Sequence, residues 1–221
     1  MATVETAAET IDTLADLIER LGDVPLDRVR FRPPIGLATE ADVIAAALQP
    51  RKRLCELIDG VLVEKAMGIR ESLLAMVLGG LINNFVRPRN LGFVTGADGA
   101  MRFFPGLVLI PDVAFTAWDR LPDRRVPTDP LPDLVPDLAV EVLSQGNTPK
   151  EMARKRELYL RAGVRLIWII DPATRTARVD STPDRSETLD ASGTLDGGDV
   201  LPGFTLTLGE LFGDLDRRGD A

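Results

Sequence analysis

The chain contains no histidine, and that absence removes more chemistry than any single motif adds. Ser-His-Asp and Cys-His triads, histidine-ligated zinc and a histidine general base are all excluded. Cysteine is nearly as scarce. The lone Cys55 permits neither an internal disulfide nor a thiolate metal cluster, which fits a reducing compartment. Long hydrophobic runs are missing too: the longest apolar stretch, Leu73 to Ile82, holds two glycines, is too short to span a bilayer and follows no charged-then-apolar leader. A soluble, cytoplasmic protein with no membrane partner is expected. Hydrolytic chemistry in such a chain must rest on carboxylates, lysine and a hard metal ion.

Positive charge is also in deficit. A net charge of −8 and a pI near 4.7 count against an overall electrostatic footprint for nucleic acid, so local patches must carry any such binding. Candidates are Arg51-Lys52-Arg53, Arg87 with Arg89, Arg124-Arg125, and a helix surface with Arg154, Arg156 and Arg161. Each also reads as the ordinary solvated surface of an acidic protein. The 221 residues, 45% of them apolar, suit one compact domain with elaborations.

Along the chain, residues 5 to 21 have helical spacing and precede the Pro-rich segment Arg32 to Gly36, which reads as a docked helix and linker. A short helix is expected over Ala41 to Leu48 with Thr39 as N-cap, and Asp59-Gly60 signals a tight hairpin. Ile69 to Phe85 reads as a long helix, and Gly92–Val94 and Met101–Phe104 as short strands leading into the strand that carries Asp112. Five prolines between 119 and 136 leave no regular element there. Thr148-Pro149-Lys150-Glu151 opens a helix that Gly163 ends. Arg165 to Asp171 is a buried strand, followed by an antiparallel extension near Ala177–Val179 and Glu187–Leu189 and a helical turn at Leu208–Phe212.

Four polar residues violate this patterning. Asp112 interrupts the apolar run from Val108 to Phe115, and Glu141 interrupts Leu138-Ala139-Val140-Glu141-Val142-Leu143. At about 100° per residue, Met152, Leu158, Tyr159 and Ala162 form one arc of their helix, and Lys155 falls inside it while Arg154 and Arg156 flank it. Glu71 shares a face with Leu74, Ala75 and Leu78, although a first-turn acid is also favoured by the helix dipole. Buried carboxylates cost several kcal/mol unless compensated, so two of them plus an inward lysine suggest a metal site. Asp112 also reads as a strand-end residue beside Pro111, Lys155 as a plain salt-bridge partner, and Glu56 or Glu64 as substitutes for Glu71.

Glu56-Leu57-Ile58-Asp59-Gly60, Pro111-Asp112-Val113-Ala114, Pro136 to Ser144, Lys155 with Tyr159, and Gly163 to Pro172 together resemble the Uma-two endonuclease family of the PD-(D/E)xK nuclease superfamily. The resemblance covers roughly residues 50 to 212. It implies an α/β, restriction-endonuclease-like fold: a mixed central sheet flanked by helices, here with an antiparallel extension. Residues 1–49 would form an N-terminal helical extension and linker, 50–212 the nuclease-like domain and 213–221 a tail. The superfamily's lysine normally lies two residues after the second acid, where this chain has Leu143. The resemblance implies that Lys155 replaces it. Many relatives carry a histidine at the start of the long helix, where this chain offers Glu71.

The expected activity is Mg2+-dependent endonuclease cleavage, with Mn2+ as a substitute, of nucleic acid and specifically DNA. Asp112, Glu141 and the backbone carbonyl of Leu143 would hold the ion, with Glu71 as a further ligand, and Lys155 would orient the attacking hydroxide. Arg124, Arg125 and Arg154 would contact the nucleic acid, the product would carry a 5′-phosphate, and duplex cleavage would make a homodimer natural. A catalytically silent binding module and a hydrolase of small phosphorylated molecules are the competing readings.

Overall fold

Asp59 and Gly60 have φ of 51° and 70°, the two left-handed residues a tight hairpin turn demands. They join β1 (Cys55–Ile58) to β2 (Val61–Glu64), paired antiparallel with Ile58 opposite Val61. The computed structural model describes residues 12–66, 68–182 and 185–218. Of the helix expected over residues 5 to 21, the part before residue 12 therefore lies outside the described residues. The remainder forms α1 (Leu14–Arg20), opened by a capping box between Thr13 and Asp16. Helix α2 (Glu40–Leu48) starts after Thr39 as the sequence indicates, and α3 spans Ile69–Val86.

The run from Val108 to Phe115 is not one strand. It divides into β5 (Leu107–Leu109) and β6 (Val113–Ala117), which belong to different sheets. Pro111 has no N–H to give a ladder, so a change of sheet is tolerated there, and Asp112 stands at the entry to β6. With β3 (Gly92–Gly96) and β4 (Met101–Phe104) before it, and β7 (Leu138–Val142), β8 (Leu166–Asp171), β9 (Thr176–Thr182) and β10 (Arg185–Leu189) after it, the chain builds two larger sheets. One has strand order β2-β1-β5-β4 and the other β10-β9-β8-β7-β6-β3. Within the second, only β7 and β8 run parallel, joined by the crossover helix α4 (Pro149–Ala162). A separate hairpin of β11 (Thr194–Asp196) and β12 (Thr205–Thr207) precedes α5 (Leu208–Gly213).

Alternation along the strands sorts the six-stranded sheet into two faces. Val113, Phe115, Val140, Trp168 and Ile170 pack with α3 and α5, while Ala114, Ala139, Ile167 and Ile169 pack with Met152, Leu158 and Tyr159 of α4. Helix α3 is long and apolar enough to cross a membrane by length and composition alone, unlike the shorter stretch read from the sequence. It buries Leu74, Ala75, Leu78, Ile82 and Val86 against the sheet and leaves Ile69, Leu73 and Met76 exposed.

The segment before α2 is part of the second of these cores. Leu17, Leu21, Val24 and Val29 are buried there, and Arg30 donates its backbone N–H to Leu62. Gly22 (φ 85°) lies so close to the start of α4 that a Cβ would sit 2.6 Å from Glu151 Cα. Arg28 completes the join: its guanidinium meets both carboxylate oxygens of Glu151 at 2.7 and 2.9 Å and donates to the carbonyls of Glu64 and Gly146. Burial alone would raise the Glu151 carboxyl, but Arg28, Lys155 and Asn147 together outweigh it and hold the group below the usual glutamate range. Its contribution is therefore complete at neutral pH and is lost only as pH falls through that depressed value.

Arg28→Ala should destabilise the fold by about 3–5 kcal/mol in denaturant titrations because it strands a buried carboxylate, whereas Arg28→Met combined with Glu151→Leu should recover most of that loss. Cys55 is buried, and that burial pushes its thiol up to about 11. Iodoacetamide should accordingly leave native protein unlabelled and modify it fully in denaturant, as mass spectrometry would read directly.

Candidate active site

Three carboxylates, from β1, from β7 and from the link just before β6, come together on the α4 side of the six-stranded sheet. Glu141 is the fourth residue of β7 and only 4% exposed, placed there because it alternates with Ala139 on the face that α4 covers. Asp112 straddles it: the Asp112 N–H donates to Val140 at 2.9 Å, and its Oδ2 accepts the Val142 N–H at 2.7 Å. The two backbone neighbours of Glu141 thus fix where the Asp112 carboxylate lies. Glu56 arrives from β1 of the other sheet, where Oε1 accepts the N–H of Ile110 at 3.0 Å.

Lys155 enters from α4, as its helical phase requires. Its ammonium sits 2.8 Å from Glu56 Oε1 and 3.1 Å from Glu141 Oε1, with the side chain 5% exposed. Burial would depress this ammonium, yet Glu141, Glu56 and Glu151 together hold it above the usual lysine range. The group stays charged and cannot serve as a base. Tyr159, one turn further along α4, donates its hydroxyl to the same Glu141 oxygen. Burial beside Glu141 and Glu56 raises that phenol well above its usual value, so it remains a neutral donor. Both donors engage Oε1, and Glu141 Oε2 takes no hydrogen bond from the described residues.

A second ammonium, Lys65, lies 2.8 Å from Asp112 Oδ1 and donates to the Ile110 carbonyl. Nothing in the sequence singles it out, since Glu64-Lys65 reads as the polar end of a strand. Three carboxylates (Glu56, Asp112, Glu141) face two ammoniums (Lys65, Lys155), which leaves one negative charge in excess when all are ionised. Burial, followed by the partly opposed influence of Lys155, Lys65, Asp112 and Glu56, pushes the Glu141 carboxyl up. Excess buried negative charge with an open carboxylate oxygen is the chemistry a hard divalent cation satisfies. Among the described residues no group of three Asp, Glu or Cys side chains forms a ready-made cage. Asp112 and Glu141 fit such an ion as a two-carboxylate set that leaves positions for water or phosphate.

Of the other residues singled out in the sequence, Glu71 lies in the first turn of α3, half-buried, and lines both cavities beside the cluster rather than joining it. Leu143 follows β7, gives its N–H to Ile170 and lines the second cavity, of about 540 Å³. The first, of about 630 Å³, is lined by Arg28, Lys65, Arg70, Glu71 and Gln145 among others. Neither is lined by Arg124, Arg125 or Arg154. Arg124 sits on the loop after β6, 3.5 Å from Asp119, and Arg125 is exposed beside it. Arg154 is tied at 2.5 Å to Asp59 in the β1–β2 turn.

The fold recurs in a known protein. A crystal structure of a "putative nuclease belonging to DUF820" from Anabaena variabilis superposes with a TM-score of 0.67 at 21% identity, covering 76% of this chain and 95% of the other. No curated protein matches the chain. Residues 40–209 match the model of the Uma2 family, described as "Putative restriction endonuclease", and that span holds Glu56, Lys65, Asp112, Glu141, Lys155 and Tyr159; the chain belongs to the Uma2 family.

Proposed function

We propose that this chain is a divalent-metal-dependent endonuclease that hydrolyses phosphodiester bonds in DNA. The observation that carries the reading is the clamp of Asp112 onto both backbone neighbours of Glu141, which ties one buried carboxylate to the strand that carries the other, while Lys65 on Asp112 lines the adjoining cavity. Asp112 and Glu141 would hold Mg2+ or Mn2+, with the Leu143 carbonyl just past β7 as a further oxygen. A bound ion of this kind supplies Lewis acidity at the phosphate and a coordinated water that ionises near neutral pH.

The chain's own residues divide the remaining work. Lys155 and Tyr159 hold Glu141 by one oxygen, so its other oxygen keeps a fixed direction. Lys155 also contributes a permanent positive charge close to where negative charge grows at phosphorus, and it does so without exchanging a proton. Glu56 orients Lys155 through a short ion pair and is itself fixed by the Ile110 backbone. The adjoining cavity gives a phosphodiester access to this edge of the cluster through Lys65, Arg70 and Gln145.

Asp112→Asn and Glu141→Gln should each lower Mn2+-dependent cleavage of plasmid DNA by about a thousand-fold or more while leaving the circular dichroism spectrum unchanged. Calorimetric titration of Mn2+ should register binding to the wild type and none to either variant. Undiminished cleavage by both purified variants would sink the assignment. Lys155→Met should lower the cleavage rate by about a hundred-fold or more, and raising the pH towards the lysine range should not restore it.

A further inference from the structure

The two ammoniums of the cluster differ in what they can reach. Lys155 is enclosed between Glu56 and Glu141, whereas Lys65 both pairs with Asp112 and lines the cavity of about 630 Å³. Its side chain, 4% exposed, reaches Asp112 Oδ1 at 2.8 Å from the end of β2. The other Asp112 oxygen is committed to the Val142 N–H, a bond made by the fold itself. Oδ1 is therefore the Asp112 oxygen with no backbone bond, the one turned to a side chain, and Lys65 sits on it. Two cations cannot share that oxygen at close range without strong repulsion. Lysine's four-carbon stem gives its ammonium a way out, and the open space beside it is the cleft.

We propose that Lys65 is a catalytic residue of the site, acting in two positions. Before metal arrives it neutralises Asp112 and keeps that carboxylate aimed by also gripping the Ile110 carbonyl. With Asp112 engaged by a divalent ion, the Lys65 ammonium would turn into the cleft and pair with a non-bridging oxygen of the phosphodiester. The proposal rests on the nuclease reading above and adds a residue and an order of events to it. It also gives the excess negative charge a second purpose: the set holds a lysine in reserve until it is exchanged for a stronger cation.

The test compares full-length wild type with Lys65→Met and Lys65→Gln, the latter retaining a donor for the Ile110 carbonyl. Calorimetric titration with Mn2+ should give about tenfold or greater tightening of metal binding in both variants, because a competing positive charge has gone. Plasmid cleavage at saturating Mn2+ should nevertheless be slower by about a hundred-fold in both. A lysine that merely supported Asp112 would give the opposite sign, with weaker metal binding after its removal. Metal affinity unchanged or reduced in the folded variants, or full cleavage at saturating Mn2+, overturns the role of Lys65 while leaving the nuclease reading intact. Circular dichroism identifies a variant that does not fold, and the other then decides. A wild type that neither binds Mn2+ nor cleaves overturns the nuclease reading itself and Lys65 with it.

Discussion

A single ammonium wedged between two buried carboxylates is the constraint around which this molecule is arranged. Glu56 comes from the four-stranded sheet and Glu141 from the six-stranded one, and Lys155 touches both. Separating either acid from the lysine would leave a charge in a nearly water-free interior, at a cost of several kcal/mol. The relative position of the two sheets is consequently fixed by charge as well as by packing. The rotation of α4 is fixed by the same contact, since only one phase of the helix brings Lys155 and Tyr159 together onto Glu141. Its N-terminus is pinned independently by the Thr148–Glu151 capping box and by Arg28. The site is held at the start and along the inward face of one helix, and on the proposed reading this supplies the preorganisation that electrostatic catalysis requires.

Local rules made much of this arrangement legible. Thr148, Pro149, Glu151 and Gly163 bracket α4 almost to the residue, and the inward phase of Lys155 follows from the apolar arc alone. Glu141 stood out because an acid inside a six-residue apolar run is too costly to bury without a compensating charge, and the Asp59-Gly60 turn because few residue pairs adopt two left-handed conformations in succession. What escaped was set by distance along the chain. The continuous apolar run from Val108 to Phe115 concealed a change of sheet, since periodicity reports burial and does not say which sheet a strand joins. Arg28 and Glu151 are 123 residues apart, and no pattern near either one predicts the other. Lys65 directly follows a strand in an ordinary polar pair, and its partner lies beyond the whole of α3 and of strands β3, β4 and β5. The β11–β12 hairpin, with three residues on each side, was too short to register.

Burial also redraws the apparent limits of the functional unit. The family match begins at residue 40, yet α1 and the segment after it supply Leu17, Leu21, Val24 and Val29 to the core beneath α4. Arg28 ties that segment to Glu64, next to Lys65, and to the Gly146 carbonyl in the loop lining the cleft. A stretch that reads as an accessory helix and linker is thereby coupled to both walls of the site through one guanidinium. Packing of this kind transmits small displacements efficiently because a close-packed interior has little room to absorb them.

The charge balance of the cleft bears on how an acidic protein would receive a polyanion. Across the two adjoining cavities, Arg28, Lys65, Arg70 and Arg175 are offset by Asp27, Glu64, Glu71 and Asp171, four cations against four anions. With a net charge of −8 on the whole chain, such a surface has no long-range pull on a phosphate backbone. On the proposed reading the attraction is created locally and late. A divalent ion at Asp112 and Glu141 would turn a cluster with one excess negative charge into one with one excess positive charge, Lys65 included, and displacing Lys65 would shift that positive charge towards the cleft without adding to it. Affinity for the phosphodiester would then depend on metal occupancy. The same acids that repel a polyanion without the ion would, once loaded, help to hold it at the edge of the cleft.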